Sequence, residues 1–195
     1  MKLDLKAFFL SRAFWEDVIV ILIAVAFCIG FRLTIQPYYI HGPSMEPNFW
    51  NNEWIWVNKT AYKSHAPQRG DIIIFYPPIK DSKAFIKRVI GLPGETVEIK
   101  DNTVYIHKAD GSIITLQEPY IKEPFFSSYT SSVIPENEFF VMGDNRNNSE
   151  DSRWGWFASR DKIIGRAWIS IWPPSLWGAA PNFKQPTTTI STTGN

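Results

Sequence analysis

The sequence predicts an all-β domain carried behind a single N-terminal membrane-spanning helix, on three observations. Residues 18–31 read VIVILIAVAFCIGF without one polar side chain. Beyond position 37 no long 3.6-residue apolar period returns, and short runs rich in Ile, Val, Phe and Trp are instead bounded by Gly, Pro, Asn or Asp. Hydrophobic residues make up 45% of the 195 and charged residues 20%, which suits a packed core and excludes a disordered chain.

Leu33-Thr34-Ile35 extends the apolar run past Arg32, so that 18–35 would form ~27 Å of helix against a hydrocarbon core of about 30 Å. Arg32 is near enough to the end to reach the headgroups, and Gln36-Pro37 is a stop signal. Two other readings compete. A buried core helix would carry a polar stripe, and a cleavable leader would carry small residues after its apolar stretch, whereas Ala24-Val25-Ala26 falls mid-run. Lys2, Lys6 and Arg12 precede the span, and after Arg32 the next basic residue is Lys59. The positive-inside rule therefore places 1–17 in the cytoplasm and 36–178 across the membrane as one β-rich domain. No second run is long enough to cross again. Residues 179–195 have little to bury and are expected to form a flexible tail.

Strands are expected at 54–57, 71–75, 84–90, 96–99, 103–107, 138–142 and 165–171, with a hairpin turning at Asp101-Asn102. Lys and Arg number 20 against 19 Asp and Glu, a net charge of +1, so no field exists to gather nucleic acid. Cys28 is the one cysteine, and His41, His65 and His107 share no ligand spacing, so neither a metal nor a cofactor is expected. The 9 Trp, 7 Tyr and 14 Phe exceed what a core of this size needs.

Three places could carry chemistry. Ser44 lies in His41-Gly-Pro-Ser-Met-Glu-Pro47, a loop held open by Gly and Pro, although a serine in such a loop is more often a turn residue. A serine nucleophile needs a base, and His41 is too near on the same turn for easy alignment. Lys87 is the better base. Period-two alternation puts it on one strand face with Phe85 and Val89, and Arg88 on the other with Ile86 and Ile90, so one of the two charges should face apolar neighbours. A buried ammonium loses hydration and releases its proton more easily; a lysine on the solvent face of an edge strand would show the same pattern. The third place is the polar run 143–153, GDNRNNSEDSR, which follows an apolar strand. Asp151 and Arg153 can pair there and Ser149 could hold a lysine amine, unless the run is simply an Asx-type turn.

Taken together and in order, Gly-Pro-Ser44-Met-Glu-Pro, Arg69-Gly-Asp-Ile-Ile-Ile-Phe, Phe85-Ile-Lys87-Arg-Val-Ile-Gly-Leu-Pro-Gly-Glu-Thr-Val and Gly143-Asp-Asn-Arg-x-x-Ser149-x-Asp-Ser-Arg153 resemble the type I signal peptidases, membrane-anchored Ser-Lys proteases that remove signal sequences from exported proteins. The likeness runs from the anchor to about Pro174. It implies a signal-peptidase-like antiparallel β domain resting on the membrane, with Ser44 as nucleophile and Lys87 as general base. Ser149 would orient the lysine, and Asp144, Arg146, Asp151 and Arg153 would brace the loop. A substrate strand would lie beside 38–40 and the Lys87 strand, contacting Tyr38, Ile40, Gly42, Met45, Phe49, Phe85 and Ile86, with small residues, typically Ala, one and three positions before the cut. The partners implied are signal peptides of secretory preproteins, the lipid bilayer of a plasma or thylakoid-type membrane and the protein-export machinery. The chain departs from some members in having Gly42 where they carry a serine that serves the oxyanion hole, Pro43 directly before Ser44, and Trp156 where glycine is common. Trp50 and Trp54, close in sequence to Ser44, are expected to dip into lipid, the competing reading being a Trp-rich core strand. Little accessory structure is expected between His107 and Pro135. Self-cleaving repressors share the Ser-Lys chemistry, but a membrane span stands where their DNA-binding helices would be. An inactive anchored scaffold would have no reason to keep Ser44, Lys87 and Ser149 together. A processing enzyme with a narrow client, in an internal membrane, would share every one of these features.

Overall fold

The computed structural model describes residues 12–184. The apolar run folds as α1 (Arg12–Thr34). It already includes Arg12, ahead of the expected start at Val18, because nothing breaks the turn between them, and Arg12 Nε pairs with Glu16 at 2.8 Å, one helical turn on. From Phe14 to Thr34 the helix is long and apolar enough to cross a membrane, and none of that stretch is buried inside the described protein. That removes the core-helix reading. Thr34 Oγ1 closes the helix on Gly30 O at 2.9 Å, and the chain passes directly into β1 (Ile35–Tyr39). The expected stop at Gln36-Pro37 therefore lies one step inside a strand. Pro37 is tolerated because β1 is the sheet edge and needs no further N–H donor there.

All strand pairs in both sheets are antiparallel. The main sheet runs β1, β2 (Trp54–Asn58), β11 (Ile163–Trp172), β3 (Ile72–Phe75), β4 (Phe85–Gly91), β9 (Glu138–Met142) and β10 (Ala158–Ser159), with β12 (Gly178–Ala179) also on β11. Ser44 lies in the β1–β2 loop and Lys87 on β4, so the late strand β11 joins the two halves of the sheet that carry them.

Both faces of the sheet centre are covered. Along β3, Ile72 and Ile74 pack with Ile40, Met45, Phe49, Ile55, Val57 and Ile86, whereas Ile73 and Phe75 pack with Val89, Phe139 and Val141. A strand buried on both sides has no use for polar alternation, hence the unbroken IIIF. Strand β2 alternates instead, with Ile55 and Val57 buried while Trp54 stands 40% exposed. Trp54 and Trp56 do share a face, but it is the outer one, and the reading of a Trp-rich core strand is overturned for Trp54.

The expected hairpin forms from β5 (Thr96–Lys100) and β6 (Thr103–His107), with Asp101 and Asn102 at φ of 49° and 60°, the left-handed pair that a two-residue turn demands. Between His107 and Pro135, where little was expected, β7 (Ile113–Thr115) and β8 (Tyr129–Thr130) complete a second four-stranded sheet, ordered β7-β6-β5-β8. Its apolar face (Val97, Ile99, Val104, Ile106) packs on Ile90, Phe140 and Met142 of the main sheet. The sheets meet at Gly91, where a Cβ would come within 2.5 Å of Ile134 Cδ1.

Residues 179–183 do not form part of the expected tail. Asn182 Oδ1 accepts the Ile72 N–H at 2.8 Å, its amide donates to Ala167 O at 3.0 Å, and Phe183 N donates to Gly70 O at 3.2 Å. Residues 179–183 are thus laced to the sheet by polar contacts that hydrophobicity does not report. The remainder of that segment, from 185, and the expected cytoplasmic segment up to residue 11 lie outside the described residues.

Candidate active site

Strand β4 presents two successive basic side chains, one to each face, and both faces are covered. Lys87 is 4% exposed and Arg88 fully buried. Arg88 is matched on each of its three nitrogens. Its Nε and one terminal nitrogen grip the two Asp144 oxygens at 2.8 and 2.6 Å, its other nitrogen donates to Gly70 O and Pro181 O, and its plane lies 3.9 Å from the Tyr120 ring centre. Among the described residues Lys87 has no carboxylate partner. Its Nζ meets the Ser44 hydroxyl at 2.7 Å and stands 5.1 Å from the Phe85 ring centre. Burial pulls its pKa down to about 8; the more distant carboxylates of Asp151, Glu150 and Asp144 act against that fall and Arg153 adds to it.

The run 143–153 is a folded loop rather than a simple turn. Asp151, fully buried, accepts the Gly143 N–H at 3.0 Å and a two-pronged grip from Arg153 at 2.8 and 2.9 Å. Arg153 also reaches Arg146 O at 2.8 Å, and Arg146 is paired in turn with Glu118 on both terminal nitrogens. The Asp144 end is fixed to β4 by Arg88, and Asn48 Nδ2 adds a bond to Asp144 Oδ2 at 2.9 Å. So held, the loop clasps the serine peptide: Asn145 N donates to Ser44 O at 3.0 Å and Asn145 Nδ2 to Pro43 O at 3.2 Å. Gly143 makes room for this, since a Cβ there would fall 2.4 Å from Ser44 O and 2.3 Å from Ser149 Oγ. The Ser44 N–H itself donates to no acceptor among the described residues.

The expected residues do not all arrive where the resemblance put them. Ser149 is brought beside the Ser44 peptide, but its buried hydroxyl bonds to nothing among the described residues, Lys87 included. An open hollow of about 150 Å³ over Ser44 and Lys87 is lined by Tyr38, Phe85 and Ile86 as expected, and also by His41, Ala84 and Glu150. Ile40, Met45 and Phe49 lie in the core beneath it, each at most 1% exposed, rather than on its wall. Gly42 holds the loop at φ +84°, with Asn51 accepting its N–H at 2.8 Å. The Tyr38 hydroxyl donates to Ala84 O, tying the edge strand across to the start of β4.

The model of the signal peptidase family, peptidase S26, matches residues 12–172. The chain belongs to that family. It is therefore a serine peptidase, and its curated relatives are signal peptidases. “Probable signal peptidase I-1” of a Synechocystis strain is 40% identical over 177 residues, 86% of this chain and 87% of that one. Signal peptidase IB of Staphylococcus aureus is 35% identical over 170 residues, 79% and 88% of the two chains. Among solved structures, a signal peptidase I from Enterococcus faecalis shares 36% identity over 52% of this chain and 96% of its own, at a TM-score of 0.45.

The sequence reasoning missed the Arg88–Asp144 pair, the Asn145 clasp and the His41 wall. A signal for the first was present. Two charges in a row on a strand covered on both faces each need an account, and only Lys87 was given one. Removing Arg88 strands a buried carboxylate, so Arg88→Ala should cost about 3–5 kcal/mol of stability, while Arg88→Met with Asp144→Leu should recover most of it. Thermal unfolding of the full chain in detergent checks this, and equal losses in the single and double variants would refute it.

Proposed function

We propose that the protein is a membrane-anchored endopeptidase that cuts N-terminal signal peptides from exported preproteins after small residues of the Ala-x-Ala type. The observation that carries this reading is the 2.7 Å contact between Lys87 Nζ and Ser44 Oγ, made in a site dry enough to lower the lysine pKa to about 8, in a member of this family. Neutral Lys87 takes the Ser44 proton as Oγ attacks the scissile carbonyl. The free Ser44 N–H supports the developing oxyanion. The Lys87 ammonium then returns the proton to the leaving nitrogen, the C–N bond breaks and an acyl-enzyme remains. A water, deprotonated by the same amine, attacks the ester; the carboxylic product departs and Ser44 recovers its proton.

Substrate binding by strand addition is supported by two free edges. Strand β1 is the end of the main sheet, and β4 pairs with β9 only from Arg88 onward, leaving 85–87 open on that side. Small side chains suit the hollow because Ile40, Met45 and Phe49 are packed shut beneath it. The unpartnered Ser149 hydroxyl, buried beside the Ser44 peptide, would hold the amine. Asp151 and Arg153 keep the loop in place for that contact.

Anchoring by α1, with the N-terminus cytoplasmic, accords with the basic residues ahead of the span. The outer face continues that logic. Phe31 of the helix packs edge-on to Trp56 at 5.5 Å, and Trp54 stands opposite Trp172 in the β2–β11 ladder, both exposed. Trp50, 45% exposed, joins them as a lipid contact beside the active site. The protein-export machinery would deliver the substrate.

Cleavage of an Ala-x-Ala preprotein in detergent should fall on the order of 10³-fold in both Ser44→Ala and Lys87→Ala. Activity surviving in Lys87→Ala would remove the lysine from its role. With the working base free only above about pH 8, kcat/KM should fall tenfold per unit below that and level off above it. A profile flat from pH 6 to 9 would contradict a lysine base. For the lipid face, the chain freed of residues 1–34 should partition onto vesicles, and Trp50→Ser with Trp54→Ser should weaken that partition; unchanged binding would place those side chains in water.

A further inference from the structure

The hollow over Lys87 accounts for only one half of a bound peptide. A second hollow, of about 190 Å³, opens against the Ser44 loop. Glu46, Pro47 and Trp50, which follow the nucleophile in sequence, form one wall. Asn145, whose backbone and side chain hold Ser44 O and Pro43 O, forms another. The two hollows share no lining residue: Ser44 itself lines the first, and Glu46 and Asn145, the latter bonded to Ser44 O, line the second. A peptide attacked by Ser44 must continue on both sides of its carbonyl. At roughly 3.3 Å per extended residue, the first two or three residues beyond the cut reach a hollow that begins next to Ser44.

The charge of this second hollow is selective. Its buried charges are already matched, Asp144 by Arg88 and Arg146 by Glu118. Glu46, Glu123 and Lys122 also line it, and among the described residues none of their charged groups has a hydrogen-bond or ion-pair partner. Two carboxylates against one ammonium leave it acidic. The leaving half departs as an amine that gains a proton from solution, with an ordinary pKa of about 7.7, so the new terminus is itself partly cationic at neutral pH.

We propose that this second hollow receives the first residues of the leaving chain, and that Glu46 and Glu123 make it favour basic over acidic side chains there. The inference rests on the peptidase reading above. The test uses full-length enzyme in detergent and preproteins identical up to the cut, with Lys or Glu at the second residue after it. Wild type should show a Lys:Glu ratio of kcat/KM of roughly two- to fivefold, the scale of exposed charge pairs. The ratio should shrink in Glu46→Gln, invert in Glu46→Lys with Glu123→Lys, and collapse in high salt, a response that a merely structural role would not give. A ratio near one in wild type, or one unmoved by these substitutions, overturns this inference and leaves the peptidase reading standing. A wild type that cuts none of the preproteins overturns that reading and this inference with it.

Discussion

Two adjacent basic residues on one buried strand cannot be treated alike, and much of the site follows from how this protein divides them. The delocalised charge of Arg88 needs a carboxylate and further acceptors when buried, and Asp144, Gly70 and Pro181 supply them. Lys87 can lose its proton, and the protein gives it a hydroxyl instead of a counter-ion. The same desolvation that would be ruinous for an unpaired arginine lets the lysine give up its proton more easily. The arginine's carboxylate belongs to the very loop that clasps the Ser44 peptide, so the Arg88 pair also positions the serine that Lys87 meets.

Burial also sets a pH dependence on the fold itself. Between about pH 8 and the ordinary lysine value of 10.5 the unfolded chain holds a proton at Lys87 that the folded chain has released. Stability therefore rises with pH through that window, and below pH 8 the protein carries the cost of a dry ammonium. The site is held against that cost by the three core clusters that meet around β3 and β4.

How far this was legible can be traced residue by residue. The apolar span, the alternation of β2 and the Asp101-Asn102 turn are local patterns, and local patterns are what a sequence displays. Lys87 stood out because its neighbours at 85, 86, 89 and 90 are apolar, and the four ordered motifs supplied the rest of the family assignment. The two- and three-residue strands β7, β8, β10 and β12 are too short to show a period. Contacts such as Arg88 to Asp144, or Asn182 to Ile72, join positions 56 and 110 residues apart, and no spacing rule reaches that far. The burial of Ile40, Met45 and Phe49 depends on which side of the Ser44 loop the core takes, which only packing decides.

The sheet order has a consequence in time. Ser44 belongs to the β1–β2 half and Lys87 to the β3–β4 half, and the strand bonded between those halves is β11, which ends at Trp172. Pro181, further still toward the end of the chain, supplies one of the acceptors that settle Arg88. A chain emerging from its N-terminus thus displays its serine and its lysine long before it has the strand that brings them together. The contact between Lys87 Nζ and Ser44 Oγ thus depends on the far end of the sequence, since the two halves of the sheet that carry them are bonded to one another only through β11.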